Sequence, residues 1–502
     1  MALRGSQAAP SFRGAGAPGR GKVPSRALRI FGRVTPLRLT SASRCDDDPR
    51  VSGLPPAFAF LAPDPDRPAA PSGEVDEQFR RWRRQIVLAT TFGYGFFYTC
   101  RLGLSLVKKP LLDEGVMTAT DLGTIGSAFF YAYAAGKLLN GFLADHAGIR
   151  RLMSFGLAAS ALVNLAMGST TLVGLAALLW AANGLFQGSG APASIVAITR
   201  WYGPRERGTM YGVWSVAHAI GEGLTFVGTS WLVAATGWRS AFIGPGFLCL
   251  AVALVLGRVL ADRPEAVGLP AVTTWRPELR LVEAGEHDHL PPTRAEQLGL
   301  LLRPSLWILG LASACMYVTR YAINSWGVLY LQEAHGYDLV EAGSLVGLNT
   351  FAGIAGSALY GWVSDRFFAS RRPPPSLIFG VLETIALVAL FAAPRGSTWM
   401  IAAAMVVYGL TIGGLIAVLG GLFAIDIAPN KSAGFAVGII GMFSYVGAAL
   451  QEQISGGLID SATTVVDGVK TIDFSAPIAF WVGASAVSLV LAASLWRVEV
   501  NE

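Results

Sequence analysis

The chain has 502 residues, 53% of them hydrophobic and 14% charged, with a mean hydropathy of +0.49. These values exclude a water-soluble domain of this size and point to a polytopic membrane protein. The formal net charge of +6 is no sign of a nucleic-acid partner, because the basic residues fall in the amino-terminal segment and in short loops between apolar runs, where membrane orientation accounts for them. Cys45, Cys100, Cys249 and Cys315 lack the spacing of a metal site or a disulfide framework. With no nucleophile or nucleotide motif either, neither an enzyme nor a cofactor nor a bound metal is expected.

Residues 1–78 are rich in Pro, Gly, Ala, Ser and Arg, with no acid before Asp46. Such a segment cannot bury a core and is expected to be a disordered, dispensable basic tail, either a transit peptide or an over-extended start. Twelve apolar segments follow between residues 85 and 496, six on each side of a polar stretch at 262–303 that carries five prolines. The expected fold is therefore an all-α membrane protein: a six-helix bundle over 79–261, a cytoplasmic linker over 262–303, a second six-helix bundle over 304–496 and a short tail at 497–502. Twenty Lys and Arg flank the segments on one side and five, Lys108, Lys109, Arg239, Arg395 and Lys470, on the other, which places both termini in the cytoplasm.

Within the first apolar segment, GYGFFYTCR ends on Arg101; within the seventh, YVTR ends on Arg320, 219 positions later. A lone arginine could snorkel to the interface or pair structurally with an acid. Its recurrence, each time with a tyrosine three residues before (Tyr98 and Tyr317), favours two related halves that each bring one cation to a shared centre near the membrane midplane. The repeat also covers GFLADHAGIRR, with Asp145, Arg150 and Arg151, and GWVSDRFFASRR, with Asp365, Arg366 and Arg372, the two aspartates 220 positions apart. These loops are expected to cap helix ends and to form ion pairs that gate the cytoplasmic face. Tyr211, Trp214, His218 and Glu222 are spaced to share one helix face. A His and a Glu are costly in a dry core, so that face is expected to line a cavity.

Two halves of six segments with the D-x-x-x-x-R-R loop resemble the major facilitator superfamily. The stretch FQGSGAPASIVAITRWYGPRERGTMYGVWSVAHAIGEG, Phe186 to Gly223, with DIAPNKSAGFAVGIIGMFSYVG, Asp426 to Gly447, narrows the resemblance to the organophosphate:phosphate antiporters, which exchange glycerol or sugar phosphates for inorganic phosphate. The resemblance implies that Arg101 and Arg320 hold the substrate phosphate. It further implies that Tyr94, Tyr98, Tyr133, Tyr317 and Trp214 line the site, with Lys137 and His218 facing the cavity. Two guanidiniums suit a phosphomonoester, which carries nearly two charges and three acceptor oxygens. Left uncompensated across a closed seam they would repel and slow the return of an empty carrier.

Three departures bear on specificity: Glu222 where the family has glycine, the polar run Gln451, Glu452, Gln453, and Ala191 in place of a bulky aromatic. Glu222 and Glu452 are candidates for proton or substrate coupling, Glu222 by stabilising a protonated His218 one turn away. The resemblance thus implies a monomeric transporter of the bacterial inner membrane, or of an organellar membrane if the tail is a transit peptide, whose partners are an organophosphate, inorganic phosphate and membrane lipid. The alternatives are a sugar-phosphate sensor of the same fold and a proton-coupled organic anion symporter.

Overall fold

The computed structural model describes residues 54–69, 71, 73–276, 299–369, 371–427, 433–466 and 469–496. Expectations for residues 1–53, for 277–298 of the linker and for the tail at 497–502 lie outside them. In the amino-terminal half the helices are α1 (Val75–Thr99), the short α2 (Gly103–Leu106) and α3 (Lys108–Asp113), α4 (Ala119–His146), α5 (Ile149–Met167), α6 (Val173–Gln187), α7 (Gly190–Trp201), α8 (Pro204–Thr236) and α9 (Ser240–Val259). After the short α10 (Val272–Trp275), the carboxy-terminal half begins with α11 (Pro304–Tyr321), which runs through a π-helical turn at Ala322–Trp326 into α12 (Gly327–His335). Then come α13 (Leu339–Phe368), α14 (Pro373–Phe391) and α15 (Thr398–Ala417), whose own π turn at Val418–Leu422 leads into α16 (Phe423–Ile427). Helix α17 (Ala433–Ser461), an antiparallel hairpin of β1 (Thr463–Val466) and β2 (Val469–Ile472), and α18 (Ser475–Ser494) complete the fold.

Among the described residues, seven helical segments are long and apolar enough to cross a membrane, Ser240–Val259 and six in the carboxy-terminal half. In α8, the polar His218 and Glu222 interrupt the apolar sequence, the price of carrying functional groups within a long helix. The internal repeat reaches the helix caps. Thr118 and Asp121 form a reciprocal capping box at the start of α4, and Asp338 and Glu341 form one at the start of α13. These are the same 220-position offset as Asp145 and Asp365.

The halves meet along two helix pairs, α4 with α17 and α8 with α13. Close approach at the first pair needs glycine: a Cβ on Gly456 would lie 2.9 Å from the Gly123 Cα, and one on Gly126 would lie 2.7 Å from the Glu452 carboxylate.

One expectation needs correction. Part of the amino-terminal tail is ordered: Pro56–Leu61 forms a 3₁₀ turn whose Leu61 is buried, its carbonyl accepting from Gly148 N at 2.8 Å, while Phe60 packs edge-on against Phe155. Asp64 then takes Arg150 at 2.7 Å and Arg151 at 3.3 Å, its own amide donates to Asp262, and Asp66 pairs with Arg263. The average composition of 1–78 masked a short apolar run followed by two acids that match the basic α4–α5 loop. The linker is structured too where described, with a 3₁₀ turn at Pro264–Val267 and with Trp275 of α10 stacked 4.1 Å from Phe79 and donating to Asp76.

Compared with a chain that begins at residue 54, one that begins at residue 68 should unfold in detergent at a lower temperature. Burial of Leu61 alone is worth about 1.5–3 kcal/mol, and Arg150 and Arg151 lose their acid. An unchanged midpoint would show that the segment lies on the bundle without stabilising it.

Candidate functional site

Helix α1 stops inside the molecule. Its end leaves carbonyls without a helical partner, and side-chain amides from neighbouring helices meet them. Asn164 of α5 and Asn183 of α6 donate to the Cys100 carbonyl at 2.9 and 2.8 Å, and Gln187 donates to the Phe97 carbonyl at 2.9 Å. This break aims Arg101 into the interior, 5% exposed. Its guanidinium carbon lies 4.5 Å from the Tyr98 ring centroid and 4.7 Å from that of Tyr133, with Phe129 at 5.6 Å, so cation–π contacts replace part of its hydration. Nη2 donates to Gln187 Oε1 at 3.4 Å, whereas Nε and Nη1 are buried without a hydrogen-bond partner.

Arg320 occupies the matching place at the end of α11, just before the π turn, a distortion that often marks functional sites. It is 6% exposed, and its guanidinium lies 5.5 and 5.4 Å from the Tyr317 and Tyr321 rings. Here the partner is an acid: Nη2 contacts Glu222 Oε2 at 3.4 Å, and Asn324 donates to Glu222 Oε1 at 2.6 Å. The two arginines share surroundings, since Tyr98 and Tyr321 are within electrostatic reach of both. Aromatic contacts cross the seam between halves, Tyr133 with Tyr445 at 4.4 Å and Phe130 with Tyr321 at 4.3 Å.

The other predicted residues gather around this cluster. Tyr94 stacks on Trp214 at 4.9 Å and meets Tyr98 edge-on at 5.7 Å. The Lys137 ammonium lies 5.0 Å from the Tyr445 ring. His218 turns a ring nitrogen to the Ser215 carbonyl and lies 6.1 Å from the Tyr98 ring, within reach of Arg101, Arg320 and Glu222. Glu222 bonds across the seam to Arg320 and Asn324 and makes no hydrogen bond to His218.

Glu452 is 1% exposed and pairs at 3.0 Å with the fully buried Lys108, which also donates to Ser325 at 2.8 Å and faces the Trp326 ring at 3.3 Å. Lys109 forms a second cross-seam pair with Glu333, and Lys470 of the hairpin donates to the Leu112 carbonyl. Burial pulls the Lys109 ammonium down, but the bond and charge of Glu333, helped by Asp113, outweigh it and raise its pKa.

At the opposite end the corresponding loop residues of the two halves take different partners. Arg150 and Arg151 pair with Asp64, and the Asp145 backbone carbonyl accepts from Arg200 at 3.2 Å. In the second half Arg372 reaches Asp426 at 2.7 Å and Asp365 at 3.8 Å, while Arg366 is exposed.

Sequence reasoning missed Lys108, which it counted with the outer-loop charges, and the amides Asn164, Asn183 and Gln187. The available signal was polar residues on apolar helices, unusually placed for membrane segments.

The chain matches the Major Facilitator Superfamily over residues 86–451. It is 35% identical to "Membrane sensor protein UhpC" of Salmonella typhimurium, over 75% of this chain and 85% of that protein. It is 32% identical to "Probable hexose phosphate transport protein" of Chlamydia trachomatis, over 75% and 84%. The chain belongs to the organophosphate:phosphate antiporter family of the major facilitator superfamily. Its fold is also that of a bacterial homologue of the human lysosomal transporter Spinster, inward-facing and unoccupied, at a TM-score of 0.66 and 16% identity, covering 84% of this chain and 99% of that one. This family member is a multi-pass membrane protein.

Breaking a buried ion pair from one side leaves an uncompensated charge and costs about 3–5 kcal/mol, whereas removing both members is far milder. Lys108→Met and Glu452→Gln should therefore each lower the thermal midpoint of purified protein steeply, and the double variant should recover most of the loss. Additive losses in the double variant would mean that the two residues do not act as a pair.

Proposed function

We propose that the protein exchanges a phosphorylated small organic molecule, a sugar or glycerol phosphate, for inorganic phosphate across the bacterial inner membrane by alternating access, acting as a monomer. The observation that carries this reading is the pair of buried arginines from the two halves in one aromatic cluster, with Nε and Nη1 of Arg101 unsatisfied. Buried donors without acceptors are costly, and a phosphate would supply acceptors and balance the charge. Tyr94, Tyr98, Tyr133, Tyr317, Trp214, Lys137 and His218 line the space such a ligand would use. The names of relatives, among them a hexose phosphate transport protein, agree with this substrate class.

On this reading Lys108–Glu452, Lys109–Glu333 and Lys470–Leu112 lie on the outer side and hold it shut. The Asp145 and Asp365 loops lie on the cytoplasmic side and order the helix ends that part there. Phosphate drawn between Arg101 and Arg320 would pull the halves together and lower the barrier to rocking between states.

A sensing role is the second reading, favoured by the identity to a protein named a membrane sensor. Purified protein in phosphate-loaded liposomes separates the two: a transporter exchanges internal for labelled external phosphate and releases it to sugar and glycerol phosphates, whereas a pure sensor binds them without flux. Arg101→Lys and Arg320→Lys should each reduce exchange by about 10–100-fold, the loss expected when a point charge replaces a fork that bonds in two places, while the protein still reaches the membrane. Wild-type exchange by either variant would remove that arginine from the site.

A further inference from the structure

The two arginines are alike in position and unlike in company. Arg101 keeps two donors without partners, whereas Arg320 already holds an anion, the Glu222 carboxylate at 3.4 Å. That carboxylate is 2% exposed and is fixed by Asn324 at 2.6 Å, and Asn324 in turn accepts from Asn349 at 3.3 Å. Glu222 lies on α8 of one half, and Arg320, Asn324 and Asn349 lie in the other, so the ion pair closes the seam at the point where a substrate phosphate would. We infer that Glu222 is a built-in counter-anion that stands in for phosphate on Arg320 when the site is empty.

The inference rests on the exchange reading and changes its consequence. An exchanger is obligatory when its empty form cannot reorient, and uncompensated like charges facing each other across a closing seam are a sufficient barrier. With one of those charges neutralised from within, the empty protein can make the return. Exchange is then accompanied by one-way movement of phosphate compounds down their gradient. The same carboxylate competes with the ligand: phosphate must displace Glu222 from Arg320, so the apparent affinity is reduced by the fraction of time the internal pair is closed. A neutral residue at position 222 should therefore tighten phosphate binding and suppress net flux, two effects that simple loss of stability would not produce together.

The experiment uses the full chain in liposomes loaded with labelled inorganic phosphate, diluted into buffer with or without external phosphate, alongside equilibrium binding of labelled phosphate to protein in detergent. Glu222→Gln keeps the side-chain shape, and Glu222→Gly, the residue that the family resemblance implies there, is a second neutral variant should the amide disturb the fold. Wild type should release phosphate into phosphate-free buffer. Both variants should lower that net release by about tenfold or more, the factor that corresponds to roughly 1.4 kcal/mol on the barrier of the empty step, while exchange continues at a lower half-saturating phosphate concentration. Net release that is absent in wild type, or undiminished in exchanging variants, overturns the proposal. So does net release that takes one more proton out per phosphate in wild type than in Glu222→Gln, read with an entrapped pH dye, since the carboxylate would then be carrying a proton. If no form exchanges phosphate and yet the Gln variant binds it more tightly, the internal anion stands and the exchange reading falls.

Discussion

A guanidinium inside a membrane protein has to be surrounded, and much of this structure follows from surrounding two of them. Arg101 and Arg320 are almost fully buried, and each would be expensive alone in hydrocarbon. The fold meets the demand with aromatic faces, Tyr98, Tyr133 and Phe129 around one, Tyr317 and Tyr321 around the other. It meets the geometric demand by interrupting helices. Helix α1 ends at Thr99 and α11 passes into a π turn at Ala322, so each arginine leaves its helix near the seam. The freed carbonyls are then taken up by Asn164, Asn183 and Gln187 in the first case, and the Tyr408 hydroxyl meets the Thr319 carbonyl in the second.

The seam also holds two buried ion pairs. Lys108–Glu452 and Arg320–Glu222 both join side chains from opposite halves, and every member of these pairs is at most 6% exposed. In such surroundings an intact pair roughly balances its desolvation, while a parted one is strongly unfavourable. Pairs of this kind therefore contribute less to stability than to the number of arrangements the halves can adopt. An opening motion at either pair must give each charge water or a new partner, so the seam has a few discrete states.

How much of this was legible in the sequence depends on the distance between partners along the chain. The recurrence of Arg and Asp at a near-constant offset exposed the two related halves, and the apolar segments exposed the helices, because both signals are local or periodic. Pairings such as Lys108 with Glu452, 344 positions apart, leave no local trace, and Lys108 read as an interfacial charge next to Lys109. Glu222 was read against its helical neighbour His218 because spacing on one helix is visible and the opposite half is not. The tail was misjudged by averaging: Leu61 and Asp64 are two residues whose signal a Pro-, Gly- and Arg-rich composition hides, and they find partners because the loop they meet carries Arg150 and Arg151.

The repeat is close in the backbone and broken in the charges, and the break is informative. If both arginines were alike, a phosphate between them would gain equally from each half, and its leaving would expose both equally. As built, Arg101 has donors but no anion, and Arg320 has an anion from the other half. A ligand would engage Arg101 first, where two donors lack partners, and reach Arg320 by exchange with Glu222. That order makes the second contact a replacement of one carboxylate by one phosphate oxygen, nearly isoelectric at Arg320. The carboxylate displaced from it keeps Asn324 and must then find His218 or a group on the substrate itself. On the proposed reading, the chemistry of the organic part of the substrate would thus be coupled to the phosphate end through a single side chain.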